Sequence, residues 1–137
     1  MASELFVDTS GFFALLAPRD NKHDLASQTM RQAEKEKRRL ITTDHVLDET
    51  TTLLKARGEG HLAESLFDRV FGYTAWRIEW TDEKRFAIAR AFFIKHLDQA
   101  WSFTDCLSFC VMKQLSLREA LTADHHFHQA GFVALLK

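Results

Sequence analysis

Residues 102–127, SFTDCLSFCVMKQLSLREALTADHHF, decide the fold. From 103 to 115 the stretch is apolar on nearly every side, through Phe103, Cys106, Leu107, Phe109, Cys110, Val111, Met112 and Leu115, the pattern of a helix buried all round. Only Asp105 interrupts its opening turn. A short run from Glu119 to Thr122 then ends in Thr-Ala-Asp124, and His125, His126 and Phe127 open another helical pattern. Two carboxylates therefore stand where ordered elements begin. Each has a structural role open to it. Ser102-Phe-Thr-Asp105 fits a capping box with Asp in place of Glu, and Asp124 suits the N-cap of the last helix.

Outward from this stretch, the chain supplies partners for both acids. Residues 81–97 read as a long helix capped by Thr81, with Phe86, Ala89, Ala91, Phe92 and Phe93 inward. Before it, 75–80 alternates Ala75, Arg77 and Glu79 against Trp76, Ile78 and Trp80, the period-two signature of a half-covered strand near a sheet edge. Gly58 and Gly60 separate a helix at 61–71 from one that Thr43-Asp44 caps and that runs to about Arg57. On the latter, Val46, Thr50, Leu53 and Arg57 share a stripe, so Glu49 leans toward the protein and Asp48 toward water. A glutamate aimed inward with no adjacent basic residue is unusual. Residues 39–42 form a second strand candidate, and 24–37 an amphipathic helix with Leu25, Met30 and Ala33 inward. The first strand is 4–7, closed by Asp8-Thr9-Ser10-Gly11 before a short helix at 12–17; the last is 132–136.

Composition sets the limits. With 137 residues, 46% hydrophobic and 27% charged, the chain has the size of one ordinary globular domain spanning 1–137. The opening MASELFVDTS lacks a basic region and meets Glu4 and Asp8 early, which fits neither a signal nor a transit peptide. No apolar run approaches the roughly 20 residues that span a bilayer. The two cysteines, Cys106 and Cys110, lie on the buried helix and amount to half a zinc site, so they read as core. These features agree with a cytoplasmic protein. A net charge of -1 gives no global attraction to nucleic acid or membrane, so any such binding is local.

Strands separated by helices of ten or more residues make an α/β domain with a mostly parallel sheet and helices on both faces. Sites in such sheets lie at the carboxyl ends of the strands. Asp8 ends the first strand, Asp124 follows the fourth, and Glu49 and Asp105 lie near helix starts that face the same edge, so the four can converge. Two carboxylates about 5 Å apart repel by roughly 3 kcal/mol at an effective dielectric of 20, and four multiply the pairs. Something positive must sit among them. Hard oxygen donors favour Mg²⁺ or Mn²⁺, and such ions support hydrolysis of a phosphodiester. A dehalogenase-like phosphatase needs a second Asp where Ser10 stands, and no GxxxxGK[ST] or GxGxxG loop is present for nucleotides.

At these residues the chain resembles PIN-domain ribonucleases, and most of all the VapC-type toxins of bacterial toxin-antitoxin pairs. The resemblance rests on Val7-Asp8-Thr9-Ser10 after the first strand, Val46-Leu47-Asp48-Glu49-Thr50, Ser102-Phe-Thr-Asp105-Cys106 and Leu121-Thr-Ala-Asp124-His-His-Phe127. It implies a three-layer α/β/α sandwich, metal-dependent cleavage of RNA, a cognate antitoxin and a homodimer. By position, Asp8, Glu49, Asp105 and Asp124 correspond to the family's acidic metal-binding quartet, and Ser10 to a supporting hydroxyl. Asp98 lies near enough in sequence to serve as an auxiliary acid. The competing expectation is an inactive module of the same fold that binds RNA or a protein without cutting. His125 and His128 have a His-x-x-His spacing that reads as a surface helix and not as zinc. Arg57, Lys55, Arg85, Arg90, Lys113 and Arg118 offer a basic rim for RNA phosphates, and Phe12, Phe13, Phe67 and Phe71 a groove or dimer face.

Overall fold

Leu5–Val7 (β1) is buried on both faces, which requires a central position in a parallel sheet covered by helices on each side. A computed structural model describes residues 3–137 and places β1 there. The reading of the N-terminus rests in part on Met1 and Ala2, which lie outside the described residues. Strands β2 (Leu40–Thr43) and β4 (Glu119–Leu121) flank β1, while β3 (Trp76–Glu79) and β5 (Val133–Ala134) form the edges. The order is β3-β2-β1-β4-β5, and every pairing is parallel. Phe6 stands opposite Ile41 on one side and Ala120 on the other.

Among the described residues seven helices supply the crossovers: α1 (Thr9–Leu16), α2 (His23–Lys35), α3 (Asp44–Ala56), α4 (Leu62–Gly72), α5 (Glu83–Lys95), α6 (Phe103–Gln114) and α7 (His125–Gln129). Right-handed connections from β1 through β2 to β3 put α1–α4 on one face, and the return through β4 to β5 puts α5–α7 on the other. The packing agrees: α1 lies against α2, α3 and α4, and α6 against α5 and α7, while α3 meets α6 across the two groups. This is the expected α/β/α sandwich, with a sheet that is wholly parallel. The chain leaves β1 in one direction and β4 in the other, so a crevice opens beyond their carboxyl ends. No helix among the described residues is long and apolar enough to cross a membrane.

Several local expectations shift. The first helix begins at Thr9, so Gly11 lies inside it. Leu25 is 41% exposed and Ala26 takes its buried place, because α2 starts at His23 and is rotated accordingly. Helix α5 is capped by Asp82, whose carboxylate accepts the Arg85 N–H at 2.7 Å, while the Thr81 hydroxyl donates to Asp44 at 2.6 Å. Phe86 and Ala91 face solvent instead of the core. On β3 the alternation breaks at its end: Glu79 is buried and held by Arg77 and Arg85, and Trp80 is exposed.

Gly11 positions the crevice. A Cβ there would lie 2.0 Å from the Leu121 carbonyl oxygen, so α1 approaches β4 more closely than any side chain permits. Gly11→Ala is expected to drive the helix off the strand at a cost of about 3 kcal/mol, a fall in Tm on the order of 10 °C. Gly60→Ala, whose Cβ would meet only ordinary contacts at 3.7 Å, is the matched control for the melting experiment.

Candidate active site

Asp8 is the N-cap residue of α1, yet its side chain makes no capping bond. Its backbone N–H donates to Leu121 O at 3.2 Å, which fixes it at the β1–β4 crevice. The carboxylate instead accepts the Thr122 hydroxyl at 3.0 Å. Thr122 Oγ1 also accepts the Asp124 N–H at 3.1 Å and lies 2.9 Å from Ser10 Oγ, which itself accepts the Ala123 N–H at 2.9 Å. With its own proton spent on Asp8, Thr122 accepts from Ser10. A directed chain therefore runs from the β4 loop through two hydroxyls to Asp8. Ser10 supports the acid at one remove.

Asp105 performs its structural role in full. Ser102 Oγ accepts the Asp105 N–H and Asp105 Oδ2 accepts the Ser102 N–H, each at 3.0 Å, a reciprocal capping box. The same Oδ2 lies 3.0 Å from His126 Nδ1. Asp124 caps α7, with Oδ1 accepting the His126 N–H at 2.9 Å, and His126 Nδ1 stands 3.4 Å from that oxygen. Both caps are real, and both acids still face the crevice. Capping uses one oxygen of each: among the described residues, Oδ1 of Asp105, Oδ2 of Asp124 and the whole Glu49 carboxylate have no hydrogen bond.

Glu49 comes from α3, where Val46, Leu47 and Thr50 are buried and Asp48 is exposed, as the stripe predicts. The Thr50 hydroxyl donates to Val46 O at 2.7 Å and meets Thr9 Oγ1 at 3.2 Å, tying α3 to α1. Asp8, Glu49, Asp105 and Asp124 then line one cleft of about 440 Å³, together with Ser10, Lys22 and Arg57. Asp98 is exposed in the connection between α5 and α6 and does not line it. A larger hollow of about 600 Å³ opens at the other end of the sheet, beside Leu40 and Trp76, and holds none of the four acids.

The electrostatics show what the cleft lacks. Burial pushes the Asp8 carboxyl up from 3.8 to about 7, with the charges of Asp105 and Glu49 adding to the rise and the Thr9 N–H and Thr122 hydroxyl opposing it. Asp105 is raised as well, by burial first and then by Asp124, against the Ser102 N–H and His126. Among the described residues no Lys or Arg forms an ion pair with any of the four acids; the nearest compensating group is His126. Clustered oxygen donors, partly unbonded and uncompensated, fit a hard divalent cation. Asp124 also stands with His125 and His126 as a mixed oxygen and nitrogen set within 4.8 Å, which shares one acid with the quartet.

Sequence reasoning gave no role to Thr122 or His126. Thr122 lay within a quoted motif, and only the register of β4 against β1 brings its hydroxyl to Asp8. The contact of His126 depends on the angle between α6 and α7, for which the sequence carries no signal.

The chain is similar to known proteins over nearly its whole length. A family model described as "PIN domain" matches residues 5–133. The 23S rRNA-specific endonuclease VapC20 of Mycobacterium tuberculosis, in two strains, is 33% identical over 129 residues, covering 94% of this chain and 95% of that protein. The crystal structure of Mycobacterium tuberculosis VapC20, described as a sarcin-ricin loop cleaving toxin, superposes with a TM-score of 0.83 and 30% identity over 95% of this chain and 97% of that one. FitAcB from Neisseria gonorrhoeae, at 20% identity and a TM-score of 0.63 over 95% of this chain and 94% of that one, shares the fold.

Proposed function

The chain belongs to the PIN-domain family, and from that premise we propose how its cleft works. The protein is an endoribonuclease of the toxin class, and the observation that carries its mechanism is the meeting of four carboxylates in one cleft without a Lys or Arg to pair them. Asp8, Glu49, Asp105 and Asp124 are the catalytic residues and hold Mg²⁺ or Mn²⁺. Such an ion supplies a water of lowered pKa and stabilises charge on the phosphodiester. Asp8 Oδ2 is held by the Thr122 hydroxyl, which the Ser10 hydroxyl backs in turn. Asp105 and Asp124 are held by their caps, so that one oxygen of each is aimed without further ordering.

Residues 1–137 act as a single nuclease domain in the cytoplasm, as a homodimer restrained by a cognate antitoxin. The similarity to the 23S rRNA-specific endonuclease VapC20 makes 23S rRNA the first substrate to try. The test is incubation of total cellular RNA with the purified protein in Mg²⁺ or Mn²⁺, with ends mapped and Asp105→Asn as control. Discrete new ends are expected with the native protein, none after chelation and none with the variant. A protein that retains RNA yet cuts nothing in either metal is the binding module and not the nuclease.

A further inference from the structure

Arg57 lines the acidic cleft and is exposed to solvent. Its guanidinium carbon lies 4.9 Å above the centre of the Phe13 ring, within cation–π range. The backbone is equally fixed: the Arg57 N–H donates to Leu53 O at 3.0 Å, Gly58 turns the chain at a φ of 74°, and the Glu59 N–H returns to Leu54 O at 2.7 Å. Three other arginines are paired within the molecule, Arg38 with Glu119 and both Arg77 and Arg85 with Glu79. The Arg57 side chain has no ion pair or hydrogen bond among the described residues, although it shares a cleft with four acids. The Phe13 ring lies to one side of the guanidinium, whose N–H groups have no hydrogen-bond partner among the described residues.

We propose that Arg57, held over Phe13, binds a phosphate of the RNA flanking the one that is cut, and so sets the strand in the cleft. This rests on the nuclease reading above. Arg57 lies eight residues after Glu49 on the same helix, a rise of about 12 Å. That places it beyond the reacting group but beside the next part of the strand. A planar guanidinium suits a phosphate in two-point contact. Lys22 is the other cationic side chain lining the cleft. RNA brings negative charge to a cleft that is already acidic, and a cation at the rim lowers the cost of entry.

The test measures KM and kcat at several salt concentrations on a synthetic RNA carrying the mapped cleavage site. Arg57→Met keeps the apolar stem on Phe13 and is expected to raise KM about tenfold, with kcat within about twofold and the salt slope of log KM reduced by about one. Arg57→Lys should recover part of the affinity, and all of the salt slope, because charge returns without the planar fork. Arg69→Met on α4, beside the hollow at the other end of the sheet, controls for loss of net charge. An unchanged KM in Arg57→Met with an active native enzyme, or an equal rise in Arg69→Met, overturns this assignment alone. A native protein that cleaves no RNA overturns it together with the nuclease reading.

Discussion

Replacing Asp8 with Asn should abolish RNA cleavage and, in the same molecule, stabilise the metal-free fold above pH 7. The loss of rate is expected to reach about four orders of magnitude or more, the scale found when one member of a catalytic unit is removed. The gain in stability follows from burial. Asp8 is 4% exposed and its carboxyl rises from 3.8 to about 7 in the folded chain. Below about pH 4 the acid is protonated whether folded or not, and nothing is lost. Between about 4 and 7 the folded state keeps a proton that the unfolded chain has released, so stability falls as pH rises. Above 7 the whole cost of a buried charge is present, on the order of 4 kcal/mol at about 1.4 kcal/mol per unit.

Asn keeps an oxygen for the Thr122 hydroxyl and carries no charge. Urea melts of the two proteins in chelator should therefore coincide near pH 4 and separate steadily to pH 8, with the variant the more stable. A variant less stable than the native protein at pH 8 would mean that Asp8 is there to hold α1 against β4 and not to bind a cation.

The second large effect concerns two adjacent acids on α3. A divalent cation at a hundred times its Kd stabilises the native state by about 2.7 kcal/mol, which raises Tm on the order of 10 °C for a chain of this size. Glu49→Gln should lose most of that response to Mn²⁺, because Glu49 faces the cleft with an unshared carboxylate. Asp48→Asn should keep it, because Asp48 is exposed on the other side of the helix. A differential scan with and without Mn²⁺ reads both variants in one session. Equal losses would show that the response is a diffuse charge effect and not ligation.

Which parts of this were legible in the sequence follows from how local each signal is. The all-round apolar helix at 103–115 is a local pattern, and α6 is indeed buried between the sheet, α5 and α7. The inward lean of Glu49 followed from helical spacing alone, since Val46 and Thr50 fix the face. The caps at Asp105 and Asp124 were equally local, and the structure shows that capping and exposure to the cleft are compatible, because each role takes a different oxygen. What depended on neighbours distant in sequence was hidden. Alternation groups Trp80 with Trp76 and Ile78, but β3 ends one residue earlier, where Glu79 is held by Arg77 and Arg85. Thr81 yielded its cap to Asp82 because Asp44, from another helix, claims its hydroxyl. The Thr122 link to Asp8 and the His126 link to Asp105 span 114 and 21 residues, and only the finished fold brings them together.

Four self-repelling carboxylates in one cleft call for a divalent cation, and the anomalous difference map of a crystal grown with Mn²⁺ decides whether one binds there. The expected result is a peak within about 2.2 Å of carboxylate oxygens from Asp8 and Asp105, with Glu49 and Asp124 in reach directly or through water. A map with no peak in the cleft at saturating Mn²⁺, or with its only peak on the His125 and His126 imidazoles, would contradict the account.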